Sequence, residues 1–415
     1  MRHSTTDTYE MKRTIVRYAE KISKSAGVTE RRFCSEMIYG ILQSSSCILS
    51  KIADALKEPI KKINVIDRLS RNLTKPHTPE IEEQYGREMR AMLTEEGPVF
   101  VDDSDIIKPS GKEFESLGIV RDGSSPTKKL EKGYHVTEIT ALTKEQKQPV
   151  SLYSHIHSST ETAYVSANDE TYKALRKGFE IQPKATYVFD RGYDMNDMFT
   201  FLYANQKSFI IRLTEKRKLF HKGKWYKAVT LRDSHKGKLK TNVMFDGVPM
   251  DCYVSCVNVQ ITESRRQLKL VLVYGLHETP MMLVTNREIK GKDDVIRVVR
   301  TYFARWRIEE YFRFKKQHFG FENFRVRSLD AINTLNRMVT YAIGLLAIMA
   351  ERRKASALRQ AIITRAQALK EHVSFLFYRF GLGILRILCQ AHTGIREWIK
   401  RRKPAFVQLE FNFFA

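Results

Sequence analysis

Between Gly97 and Thr214 the hydrophobic period of the chain switches repeatedly between two residues and three-to-four residues, and this switching constrains the fold more than any other feature. "GPVFVDDSDIIKP" reads as a strand, with Val99, Val101, Ile106 and Ile107 apolar and Gly97 and Pro98 in front of it. "KGYHVTEITALT" and "QPVSLYSHIHSST" read as the next strands of a meander. "NDETYKALRKGF" then places Tyr172, Leu175 and Phe179 on one side of a helix. A buried strand, "ATYVFDRG", a helix from Met195 to Tyr203 and another strand, "SFIIRLT", follow. Three strands, helix, strand, helix, strand describe a mixed α/β layer with helices on both faces.

The flanks differ in character. The first ninety or so residues have apolar positions at helical spacing and few β-branched runs. Within them, Ser50 to Leu73 carries an apolar helix (Ile52, Ala53, Leu56), a break at Pro59 and a second helix with Ile63, Ile66 and Leu69 inside. Its other face offers Lys61, Lys62, Arg68 and Arg71, which a helix-turn-helix would set near DNA phosphates. Plain packing of two amphipathic helices accounts for the pattern equally well, and the sequence leaves both readings open. After "KPHTPE" the mixed layer begins, and from Glu215 to Lys290 alternation dominates, "KWYKAVTLR" included. A long helix is expected over "KDDVIRVVRTYFARWRIEEYFRFKKQHFG", with helices continuing to about Lys403.

Charge narrows the partners. Lys plus Arg number 71 against 47 Asp plus Glu, a formal net charge of +24, which favours a polyanion. The five cysteines are few and odd in number and read as reduced residues rather than a disulfide framework, and Cys252 and Cys256 lack the further ligands of a zinc site. The N-terminus lacks the apolar stretch of a secretory leader, and the apolar run Met338 to Ala350 is too short to span a bilayer and reads as core. The expectation is an intracellular protein with no membrane partner.

Two carboxylates fall where strands meet a crossover: Asp102 in "VDDSDI" and Asp190 at the end of "YVFD". Acidic groups converging in such a crevice require a cation. Asp103, Asp105 and Asp194, taken singly, read as turn or cap residues. At about 100° per residue, Tyr302, Arg305, Glu309 and Lys316 share a helix-face sector of roughly 60°. A surface ion pair explains Arg305, Glu309 and Arg313 but neither Tyr302 and Lys316 nor the apolar opposite face. His155 and His157 alternate on a strand without a third metal ligand and read as packing residues, and Trp225 and Trp306 read as core.

The spacing Tyr302, Arg305, Glu309, Lys316 resembles the tyrosine-arginine-glutamate-lysine signature of bacterial insertion-sequence transposases of the DDE type. "DDSDI" and "FDRGYD" resemble their first and second aspartate motifs, so the likeness runs from about 98 to 330 in the right order. Ser104 aligns Asp102, rather than Asp103, with the first motif. The resemblance implies an α/β chain with an RNase H-like mixed sheet flanked by helices and interrupted by a β-rich insertion. It divides the chain into an N-terminal helical, helix-turn-helix-like DNA-binding region (1–95), the first part of the catalytic core (96–214), the insertion (215–290), a catalytic helix (291–330) and a C-terminal helical region (331–415), with dimerisation and completion of the core both open as its role. Asp102, Asp190 and Glu309 become the catalytic, metal-holding residues of two Mg²⁺ ions, with Mn²⁺ a substitute. Tyr302, Arg305 and Lys316 become DNA contacts beside them. The implied partners are double-stranded DNA, as terminal inverted repeats and as target, and a second copy of the chain, in the bacterial cytoplasm at the nucleoid. A nuclease that cuts without joining, and a repressor derived from a transposase, are the alternatives.

Overall fold

The computed structural model describes residues 2–402 other than 124–126, 128, 246–247, 353–354 and 368–373. In chain order the helices α1 (Arg2–Ile22), α2 (Val28–Ser44), α3 (Leu49–Leu56), α4 (Lys62–Leu73) and α5 (Pro79–Arg90) come first. Strands β1 (Pro98–Ile107), β2 (Gly118–Arg121), β3 (Leu130–Leu142) and β4 (Pro149–His157) follow. Then come α6 (Ala167–Ile181), β5 (Thr186–Phe189), α7 (Asn196–Ala204) and β6 (Ser208–Arg212). The next stretch holds β7 (Lys218–His221), β8 (Lys224–Lys227), α8 (Ala228–Asp233), β9 (Leu239–Phe245), β10 (Val248–Ile261), β11 (Arg266–Tyr274) and β12 (Met281–Thr285). It ends with α9 (Lys292–Phe303), α10 (Trp306–His318), α11 (Leu329–Glu351), α12 (Ala357–Ala366), α13 (Phe377–Cys389) and α14 (Ile395–Arg402).

The described strands form one mixed sheet in the order β2-β3-β1-β5-β6-β12-β11-β10-β7-β8, with β4 also on β3 and β9 also on β10. β1 runs antiparallel to β3 and parallel to β5, and β5 runs parallel to β6. All four residues of β5 are buried, as its unbroken apolar run requires of a central parallel strand covered on both faces. Helix α6 starts at Ser166, whose hydroxyl accepts from the Asp169 amide. Past β6 the sheet does not stop. β12 joins β6 antiparallel and carries the ladder on through β11 and β10, so the β-rich segment extends the same sheet.

Three local expectations change. "KWYKAVTLR" is a strand only to Lys227; Ala228 and Leu231 then bury one face of the short helix α8. The long helix expected from Lys292 is broken at Ala304 and Arg305, where the amides of Arg305, Arg307 and Ile308 each donate three residues back instead of four. On α4 the buried positions are Val65, Leu69 and Leu73, while Ile63 stands 57% exposed. Spacing within one helix could not choose between these faces, because the choice depends on the neighbour.

Helices from both ends of the chain pack into one body. The Lys12 ammonium donates to the Thr393 carbonyl at 2.5 Å and the Lys57 ammonium to the Ala391 carbonyl at 2.5 Å. Gly394 lies so close to α3 that a Cβ there would sit 1.7 Å from the Leu56 carbonyl oxygen. The apolar run near Met338 belongs to α11, whose 23 residues are long and apolar enough to cross a membrane; 89% of an apolar 18-residue stretch of it is buried inside the protein, where it serves as core.

Candidate active site

β1 and β5 are parallel neighbours with Val101 opposite Phe189, so the next residue of each, Asp102 and Asp190, leaves the ladder side by side. Asp190 closes β5 and opens a single 3-10 turn, Arg191–Tyr193. The break at Ala304 and Arg305 lets α9 and α10 approach this point together. Arg305 donates from Nη1 to Asp102 Oδ2 at 2.7 Å and from Nη2 to Glu309 Oε1 at 2.7 Å. The Tyr302 hydroxyl donates to Asp190 Oδ1 at 3.3 Å. Three carboxylates from segments far apart in sequence thus meet around one guanidinium and one phenol.

The cluster carries too little positive charge. Burial, reinforced by Asp103, Asp190 and Glu309, outweighs Arg305 and pushes the Asp102 carboxyl up to about 7. Burial also raises Glu309 against the attraction of Arg305, and raises the Tyr302 phenol to about 12 with help from Asp190. Arg305 is held firmly charged: its burial acts the other way, but Asp102 and its acidic neighbours prevail. Among the described residues no three His, Cys, Asp or Glu side chains stand close enough to hold a metal ion as they are; Arg305 lies between Asp102 and Glu309.

The remaining sequence candidates are placed as follows. Lys316 stays outside the carboxylate cluster, donating to the Asp105 carbonyl at 2.5 Å and pairing with Glu322 at 3.0 Å, which ties α10 to β1. On α4, Arg68 is committed to Glu36 and Glu58, and Lys62 pairs with Asp54 at 2.6 Å in solvent. Lys61 is exposed, and Arg71 lines a groove of about 470 Å³ between α2 and α4 with Arg32, Asn64 and Lys75. His155 and His157 stack at 6.3 Å, and His157 meets the Thr137 hydroxyl at 3.0 Å, as packing residues do. Trp306 is half-buried and borders a cavity of about 170 Å³ beside Glu309 and Arg212. Trp225 is not core; it is 44% exposed.

Of the aspartates that read as turn or cap residues, Asp103 instead lies within β1, whereas Asp194 keeps a structural role. Asp103 is held by hydrogen bonds from Thr137 Oγ1 (2.7 Å) and the buried Tyr193 hydroxyl (3.0 Å), on the face of β1 opposite Asp102. The tyrosine of "FDRGYD" was the available signal. Asp194, from the same motif, accepts from the Thr214 amide and from Arg217 Nε at 2.7 Å each, a structural role in keeping with a turn residue.

A family model described as the transposase DDE domain matches residues 98–345, more than half of the chain. The chain belongs to the DDE transposase family. The match opens on the first residue of β1 and closes within α11, so the transposase domain takes in Asp102, Asp190 and Glu309 while α1 to α5 precede it. A comparison with curated proteins finds no match.

Proposed function

We propose that this transposase binds the terminal inverted repeats of its own element as a homodimer, cuts phosphodiester bonds there and joins the freed 3′ end to target DNA. The observation that carries the reading is the bridge from Asp102 through Arg305 to Glu309, with Asp190 beside it under Tyr302. The order β3-β1-β5-β6, with β1 central and β5 and β6 parallel to it, supports an RNase H-like core.

The donor set fits hard divalent cations, since it is all carboxylate oxygen and is short of positive charge even with Arg305 in place. Asp102, Asp190 and Glu309 would hold two Mg²⁺ or Mn²⁺ ions, which when bound supply Lewis-acid stabilisation to the attacking and leaving oxygens of a phosphodiester. Arg305 must then release at least one carboxylate, and its fork of donors turns to a DNA phosphate beside the scissile bond. Tyr302 orients Asp190, and Lys316 holds α10 against β1 at the rim, within reach of the same backbone. Lys61, Lys62 and Arg71, on the exposed side of α4, supply sequence-independent contacts to the repeat, whereas Arg68 keeps α4 in place.

The test uses a labelled duplex made from the DNA that flanks the reading frame, with Mg²⁺. Glu309→Gln is expected to lower cleavage by roughly 10³-fold or more while DNA binding persists. Cleavage that survives with binding intact removes the assignment, and a wild type that cuts but never joins makes the protein a nuclease.

A further inference from the structure

The far edge of the sheet carries a second concentration of charge, remote from the carboxylates. Hairpin β7–β8 turns through Lys222 (φ +47°) and Gly223 (φ +84°), a two-residue connection in which a lysine occupies a left-handed position that Asn, Asp or Gly fills at lower cost. In its ladder Lys218 stands directly opposite Lys227, and Phe220 directly opposite Trp225. By alternation these four side chains share one face, while the other face buries Leu219 against the protein. The Arg265 guanidinium lies 3.4 Å from the centre of the Phe220 ring and 5.0 Å from that of Trp225, whose indole is 44% exposed. Lys218, Lys227 and Arg265 are exposed, and among the described residues none of them has an ion pair; Glu215, Asp233 and Glu263 are the nearby acids in the chain.

Lysines on an outermost strand guard an open edge against pairing with other chains, and Lys224 on β8 serves that purpose. Edge protection does not call for two lysines directly across the ladder, where like charges repel, nor for a tryptophan held out between them. Both features suit a polyanion with flat hydrophobic parts. We propose that this face of the β7–β8 hairpin is a second DNA-binding surface, gripping the backbone of duplex DNA through Lys218, Lys227 and Arg265 with Trp225 against the sugars.

The inference rests on the transposase reading and adds a location to it. From β5 to β8 the sheet steps through β6, β12, β11, β10 and β7. At about 4.8 Å per strand this is roughly 29 Å across the strands, and β7 meets β10 at Gln260, a few residues along from the level of Arg212, so the hairpin stands on the order of one helical turn from Asp190.

The double variant Lys218→Gln/Lys227→Gln separates this role from a structural one. Relief of the opposed charges is expected to leave Tm unchanged or higher, while the slope of log affinity against log salt falls by about 1.8 for element-end and unrelated duplexes alike. Arg265→Gln is the second variant, expected to lower the slope by about 0.9. A photo-crosslinking residue at position 225 is expected to capture element-end DNA within about one turn of the cleavage site. Wild type that binds and cuts, beside variants that keep the full salt slope, overturns the inference alone. Wild type that neither binds nor cuts the element end overturns the transposase reading beneath it.

Discussion

Two clusters of arginine and carboxylate lie below the surface of this protein, and they are built to different charge counts. In the helical body, Arg68 and Arg396 share Glu36 and Glu58, whose side chains are 2% and 5% exposed. Two cations meet two anions; the Glu58 carboxyl is held below its ordinary range although burial pushes it up, while burial raises Glu36 against the pull of Arg68 and Arg396. At the sheet, Arg305 is the cation paired with Asp102 and Glu309, with Asp190 beside them, and the Asp102 carboxyl rises to about 7. A balanced cluster fixes helices to one another. An unbalanced one holds a cation imperfectly and leaves room for another.

Removing an arginine from each cluster sharpens the contrast. Arg68→Met strands Glu36 and Glu58 with Arg396 and is expected to cost about 3–5 kcal/mol in urea unfolding. Arg305→Met is expected to cost less and to tighten Mn²⁺ binding by about tenfold, roughly 1.4 kcal/mol, because the competing cation is gone. Magnetic resonance of free Mn²⁺ reads this directly; equal losses of stability and unchanged Mn²⁺ affinity would erase the distinction between the clusters. The smallest effect is on pH. A carboxyl whose folded pKa is raised contributes stability that is present below about pH 4 and is lost as pH climbs through about 7. With chelator present, Asp102→Asn should therefore gain on wild type between pH 4 and pH 8, by roughly 2 °C in Tm, and a gap that stays flat across that range contradicts the charge imbalance.

What the sequence disclosed and what it withheld divide along the range of the interactions. β1, β5 and β6 were legible because their periods are local, and Asp102 and Asp190 were placed at one crevice because parallel strands bring equivalent ends together. The pairing of β12 with β6, which makes the β-rich segment part of the same sheet, joins residues some seventy apart and leaves no local mark. Arg305 shows the same limit. Its bond to Glu309 is an i,i+4 contact readable on a wheel, but its bond to Asp102 spans 203 residues. Trp225 reads as core and Ile63 as the inside of α4, yet they are 44% and 57% exposed, because burial depends on which elements pack alongside and not on residue type or spacing alone. The break at Ala304 and Arg305 carries no proline or glycine, so nothing in "YFARWRIEEYF" announces it.

The seam at Gly394 sets an order on the protein's own making. Residues near 391–398 supply the carbonyls that receive Lys12 and Lys57 and the arginine that joins Glu36 and Glu58. They lie 381 residues beyond Lys12 and 334 beyond Lys57, so during synthesis the helices that carry these lysines wait for that much further chain before their docking is complete. A chain cut short before Ala391 would carry every carboxylate of the sheet and still lack the closure of these helices.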